Sequence, residues 1–115
     1  MTLIYKEQEI GFSFGLYFLG KAQGFFGVSD FNELIQSLKT RADIVDMMYM
    51  SAKTYAKRKE QSFNITLDEW VTSFEANEIE VDKITEWESL FVEKINDVFG
   101  LTKEEEEEVE ELKKK

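Results

Sequence analysis

The stretch from Ile10 to Gln23, IGFSFGLYFLGKAQ, holds two periodicities back to back. Ile10, Phe12 and Phe14 alternate with Gly11, Ser13 and Gly15, the pattern of a strand with one apolar face. From Leu16 the alternation stops. Leu16, Leu19 and Gln23 fall at helical spacing, with Phe18 and Ala22 beside them. A strand therefore gives way to a helix at Gly15, and both send apolar side chains into one core. Upstream, Leu3–Tyr5 reads as a partner strand, Lys6–Glu9 as a turn and Ile10–Phe14 as the returning strand. The turn lacks the Asn-Gly or Asp-Gly pair of a tight hairpin. A lone hairpin has too little core to stand by itself, so it must pack on helices.

Downstream, the spacing predicts helices with one apolar face each. The first runs over Gly15–Gln23, with Gly24 and Gly27 around Phe25 and Phe26 as a stop and joint. The second starts at Asp30, with Glu33 at capping-box spacing and Phe31, Leu34, Ile35 and Leu38 as a stripe, and ends near Thr40. The third spans Arg41–Lys59. Its segment Ile44–Ala56 is apolar nearly all round and holds three of the four methionines, so it belongs in the core, where Met fills irregular gaps. The fourth opens on a capping box, Thr66 with Glu69, and a hydrophobic staple, Ile65 with Trp70. Leu67, Trp70, Val71 and Phe74 form its stripe, and it stops near Asn77. The fifth covers Val81–Phe99 through Ile84, Trp87, Phe91, Ile95 and Val98, with Leu90 and Phe99 widening the face. Gly100 is its C-terminal cap residue, on which Leu101 packs back toward Ile95. Thr102 and Glu105 open a final segment anchored only by Val109 and Leu112, which reads as a protruding tail. The expected fold is mainly α: a compact helical domain of five to six helices with a short N-terminal β-hairpin over residues 1–100, followed by a charged helix or tail over 101–115.

The chain has 115 residues, one domain's worth, and 16 aromatics, which argues for a packed globule. It has no Cys, His or Pro. This removes disulfides, thiolate zinc sites, the commonest metal ligand and the commonest general base. Met1–Ile10 lacks the basic start and apolar core of a signal peptide. The apolar run Gly11–Gly20 is half a membrane span long and interrupted by glycine. A soluble cytoplasmic protein is expected. The net charge of −10 is uneven: residues 1–65 carry +1, residues 66–100 carry −8 and residues 101–115 carry −3. An acidic surface repels nucleic acid and anionic membranes, so neither is an expected partner.

No catalytic constellation emerges. Glu78, Glu80 and Asp82 alternate like a calcium loop, but the turn glycine is missing and Ser89 stands where the bidentate Glu belongs. Glu104–Glu108 is a solvated run on which nothing converges. Gly11, Gly15, Gly20, Gly24 and Gly27 do not match a phosphate-binding loop. No enzyme, metal or cofactor is expected.

The pattern EIGFSFGLYFLGKA, an aromatic turn from strand into helix, followed by acidic helices and a charged tail, resembles the tail assembly chaperones of long-tailed phages and prophages of Gram-positive bacteria. That resemblance implies a small helical protein that self-associates and coats the tape-measure protein before the tail tube polymerises. The tail-tube protein is a further implied partner. It implies action in the host bacterial cytoplasm and absence from the mature virion. It also implies a longer product made by programmed frameshifting. Lys113-Lys114-Lys115 is compatible with a slippery codon run and equally with lysines closing a helix.

Charge placement supports self-association independently. Lys53, Lys57, Arg58 and Lys59 form the one basic cluster, and Glu86, Glu93 and Asp97 lie on the outer face expected for the fifth helix. Such patches on different sides join protomers head to tail, as a ring or an open spiral. An apolar groove along a spiral would suit an amphipathic helix. The rival reading is a small acidic inhibitor that mimics nucleic acid, an anti-restriction or anti-defence protein, which needs a continuous acidic face spaced like phosphates.

Overall fold

The computed structural model describes residues 1–99, with side chains described through Ile95. The chain begins with an antiparallel hairpin, β1 (Thr2–Tyr5) and β2 (Gln8–Gly11), in which Leu3 faces Ile10 and Tyr5 faces Gln8. Five helices follow: α1 (Leu16–Phe26), α2 (Phe31–Ser37), α3 (Arg41–Arg58), α4 (Leu67–Glu75) and α5 (Asp82–Phe99). The mainly helical architecture with an N-terminal hairpin is the one the periodicities predict. The capping residue and terminal helix expected from Gly100 and Thr102 lie outside the described residues.

The hairpin is tighter than predicted. Its turn is two residues, Lys6 and Glu7, with φ of 51° and 65°. Both central residues of a type I′ turn need positive φ, which matches the twist of the flanking strands. The chain adopts it without glycine, although each non-glycine residue in this region costs about 1–2 kcal/mol. The returning strand also ends earlier, at Gly11 rather than Phe14. Beyond Gly11 the backbone leaves β1 and bonds to α3 instead. Ser13 N–H donates to the Ser51 carbonyl (3.2 Å), and the Ser51 hydroxyl donates to the Ser13 carbonyl (2.7 Å). The apolar alternation continues through Phe12 and Phe14 because they pack on helices, not because a strand persists.

Helix α3 is the centre of the fold, packing against α1, α4, α5 and β2. Met47 and Met48 are fully buried along it. Thr40 caps it: its hydroxyl accepts from Asp43 N–H, and the Asp43 carboxylate accepts from Thr40 N–H. Thr40 and Asp43 have the spacing of an N-terminal cap, with Asp in place of the usual Glu. Two aromatic clusters flank α3. Phe12, Tyr49, Trp70 and Phe74 join the segment after β2 to α3 and α4, and Trp70 Nε1 donates to the Val45 carbonyl at 3.1 Å. Phe14, Phe18, Trp87 and Phe91 join α1 and α5, with Trp87 and Phe91 stacked at 5.2 Å.

Other boundaries move by a turn or less. Helix α1 runs through Gly24 to Phe26 and stops at Gly27, whose φ of 67° needs glycine. Helix α2 ends at Ser37, before Thr40. Asp30 caps it, and Glu33 reaches back to Ser29 N–H. The α4 capping box is half made: the Thr66 hydroxyl accepts from Glu69 N–H and donates to the Glu69 carboxylate, which also meets Lys6 at 3.3 Å. Ile65 and Trp70, the predicted staple, are both buried.

Candidate functional site: the face of α1 and α3

Helix α1 buries the face its spacing predicts except at Leu16. Phe18, Leu19 and Ala22 are buried, whereas Leu16 is 71% exposed and Tyr17 60% exposed. The aromatic cluster with Trp87 and Phe91 holds Phe18, and Leu16, two residues and about 200° away around the helix, faces outward. Leu16, Gly20 and Gly24 then line one outward row, with Tyr17, Lys21 and Phe25 beside it. A Cβ on Gly20 or Gly24 would meet nothing within 4 Å. Each glycine in a helix interior costs roughly 0.5–1 kcal/mol relative to Ala, and no packing among the described residues explains the two.

The first turn of α1 is open as well. Gly15 gives no side-chain cap and no acid stands in the first turn, so the free amides and positive end of the helix dipole meet solvent beside Leu16 and Tyr17.

Across from α1, helix α3 presents Met50, Lys53, Thr54 and Lys57. With Lys21 these residues line a depression of about 320 Å³. A shallower one of about 440 Å³, lined by Leu16, Tyr17, Gly20 and Lys21, adjoins it through Lys21. The result is a groove with apolar walls at one end and lysines at the other. The Arg58 guanidinium lies over the Tyr17 ring at 5.8 Å and marks its edge.

The structure divides the predicted basic cluster. Lys53 and Lys57 face the groove, with the Lys53 ammonium 5.9 Å from the Tyr49 ring centre. Arg58 turns to Tyr17, and Lys59 lies over Tyr55 at 5.8 Å, toward β2. Among the described residues the ion pairs are Lys6–Glu69 and Lys83–Glu86, so none of the described acids of α4 and α5 neutralises the groove. Of the predicted acidic set, Glu86 is exposed and holds Lys83 at 3.3 Å, Glu93 is exposed, and the Asp97 side chain lies outside those described. Sequence reasoning found Lys53 and Lys57 but missed Leu16, Tyr17 and Lys21. The glycines at 20 and 24, four apart and in register with Leu16, were the available signal.

Two carboxyl groups stand apart from this face. Glu88 is only 4% exposed, and burial raises its pKa against a smaller opposing effect of Arg41. Burial, then the nearby Asp43 carboxylate, raises that of Asp46. Among the described residues no group of three or more metal-ligating side chains converges, and no helix is long and apolar enough to cross a membrane. No protein-family model, curated protein or solved structure matches the chain.

Proposed function

We propose that this chain is a non-enzymatic binding protein that self-associates and holds an amphipathic helix in the α1–α3 groove, acting as a phage tail assembly chaperone. The observation that carries the reading is that Leu16 and Tyr17 stand in solvent beside Lys21, Lys53 and Lys57, with no acid of the described chain paired to those lysines. An exposed apolar row next to positive charge suits an amphipathic helix with acidic flanks. The partner on this reading is the helix-rich tape-measure protein, with the tail-tube protein as a second contact. The protein would act in the bacterial cytoplasm and leave before the virion matures.

The nucleic-acid mimic has less support. Its acids must stand free, yet Glu88 is buried and Glu69 and Glu86 face lysines.

Co-expression of the full chain with the longest helix-rich protein encoded beside its gene tests the proposal. The two should co-purify, and Leu16→Glu should release the partner. A partner that stays soluble and unbound in the presence of the wild-type chain refutes the chaperone reading.

A further inference from the structure

We propose that the α1–α3 groove receives residues 101–115 of a neighbouring copy. This rests on the reading of the groove as a helix-binding site and names its occupant in the self-assembled form. The groove asks for two things: apolar contact for Leu16, Tyr17 and bare Gly20, and negative charge for Lys21, Lys53, Lys57 and the open first turn of α1. Among the described residues the acidic helices α4 and α5 do not supply both. Their largest described apolar side chains, Trp70 and Phe74 on one and Trp87 and Phe91 on the other, are committed to the core.

Residues 101–115 carry both features. Glu104–Glu108, Glu110 and Glu111 give seven acids, and Val109 and Leu112 give two apolar side chains. At helical spacing Glu105, Glu108, Val109 and Leu112 share one face, an apolar pair flanked by carboxylates. That face matches a groove with Leu16 and Tyr17 at one end and lysines at the other. Helix α5, which leads into this segment, meets α1 on its inner face through Phe18. The groove opens on the outer face, so a neighbour's segment reaches it without passing round α1. Groove and segment are different surfaces, so the contact is head to tail and extends from copy to copy. It also replaces Glu86, Glu93 and Asp97 as the partner of the basic cluster.

The test uses three full-length chains in sedimentation velocity: wild type, a groove variant (Lys53→Glu with Lys57→Glu) and a segment variant (Glu104 to Glu108 all changed to Gln). Lys53 and Lys57 are exposed, and circular dichroism melts check that every chain is folded. Wild type should assemble at about 50 mM NaCl and dissociate at about 500 mM, because exposed charge contacts are screened. Each variant alone should associate at least about tenfold more weakly, a loss of about 1.4 kcal/mol. Mixed one to one, they should form a dimer and stop there, since the only intact pairing is the segment of one with the groove of the other. If the segment variant assembles like wild type, or the mixture forms no dimer, residues 101–115 are not the occupant, and wild-type assembly still supports self-association. A wild type that stays monomeric at every concentration and salt overturns the self-association reading and this proposal with it.

Discussion

Replacing Leu16 by Glu is expected to separate folding from binding. Leu16 is 71% exposed, so little apolar area is lost from the folded core. It is also the first residue of α1, where no acid yet meets the dipole. A carboxylate there contributes about 0.3–1 kcal/mol at low ionic strength, and Glu and Leu have similar helix propensity. The unfolding free energy should therefore hold or rise by a few tenths of a kcal/mol. Binding should move the other way. Covering a leucine side chain is worth about 1.5–3 kcal/mol, which corresponds to roughly 10- to 150-fold in affinity, and the new charge also repels an acidic occupant. Urea unfolding followed by tryptophan fluorescence gives the first quantity, and sedimentation across a dilution series gives the second. Phe18→Ala is the control from the opposite face: Phe18 is fully buried, and its loss should cost about 3–5 kcal/mol. A large loss of stability in Leu16→Glu, or unchanged association, would show that this row is not a binding surface.

Four further outcomes follow from the packing. Trp70→Phe should cost about 2 kcal/mol more than Trp87→Phe in urea unfolding, because Trp70 Nε1 bonds the Val45 carbonyl while Trp87 Nε1 is buried with no acceptor among the described residues. Equal costs would contradict that assignment. Gly11→Ala should destabilise by about 1–3 kcal/mol, since the new Cβ would come within 2.6 Å of the Tyr55 ring; a neutral melt would mean the ring moves aside freely. Glu7→Gly should raise stability by about 1 kcal/mol by relieving the left-handed turn, and a loss would place Glu7 in some contact other than the turn. For Glu88, the folded pKa lies above its ordinary 4.5, so the folded state binds the proton more tightly and stability falls as pH rises through the raised value. Glu88→Gln should accordingly stabilise the protein at neutral pH and lose that advantage below about 4.5, as a pH series of thermal melts would show; an advantage that persists in acid would rule out ionisation as its cause.

The helices were legible because their grammar is local. Asp30, Thr66 and the stripe from Ile84 through Trp87, Phe91 and Ile95 state starts and buried faces within a few residues. The hairpin was legible in place but not in length, because the exchange of hydrogen bonds between Ser13 and Ser51 is a contact between residues 38 apart. In helix α1 only Leu16 was misplaced, for a similar reason. Its residues are apolar on nearly every side, so spacing alone does not choose between Leu16 and Phe18; the Trp87–Phe91 stack does. Half of the groove was therefore visible as lysines on α3. The other half depended on which way a distant helix turns α1.

Amide hydrogen exchange of the full chain, compared between dilute and self-associating concentrations at low salt, tests the central claim most directly. The first-turn amides of the exposed residues Leu16 and Tyr17 have no helical partner and no cap, so in the isolated chain they should exchange fast. If the α1–α3 face is the binding surface, association should protect these amides and those around Lys53 and Lys57, and high salt should reverse it. Protection confined to the outer faces of α4 and α5 or to β1, with the first turn of α1 still exchanging freely in the assembled form, would contradict the account.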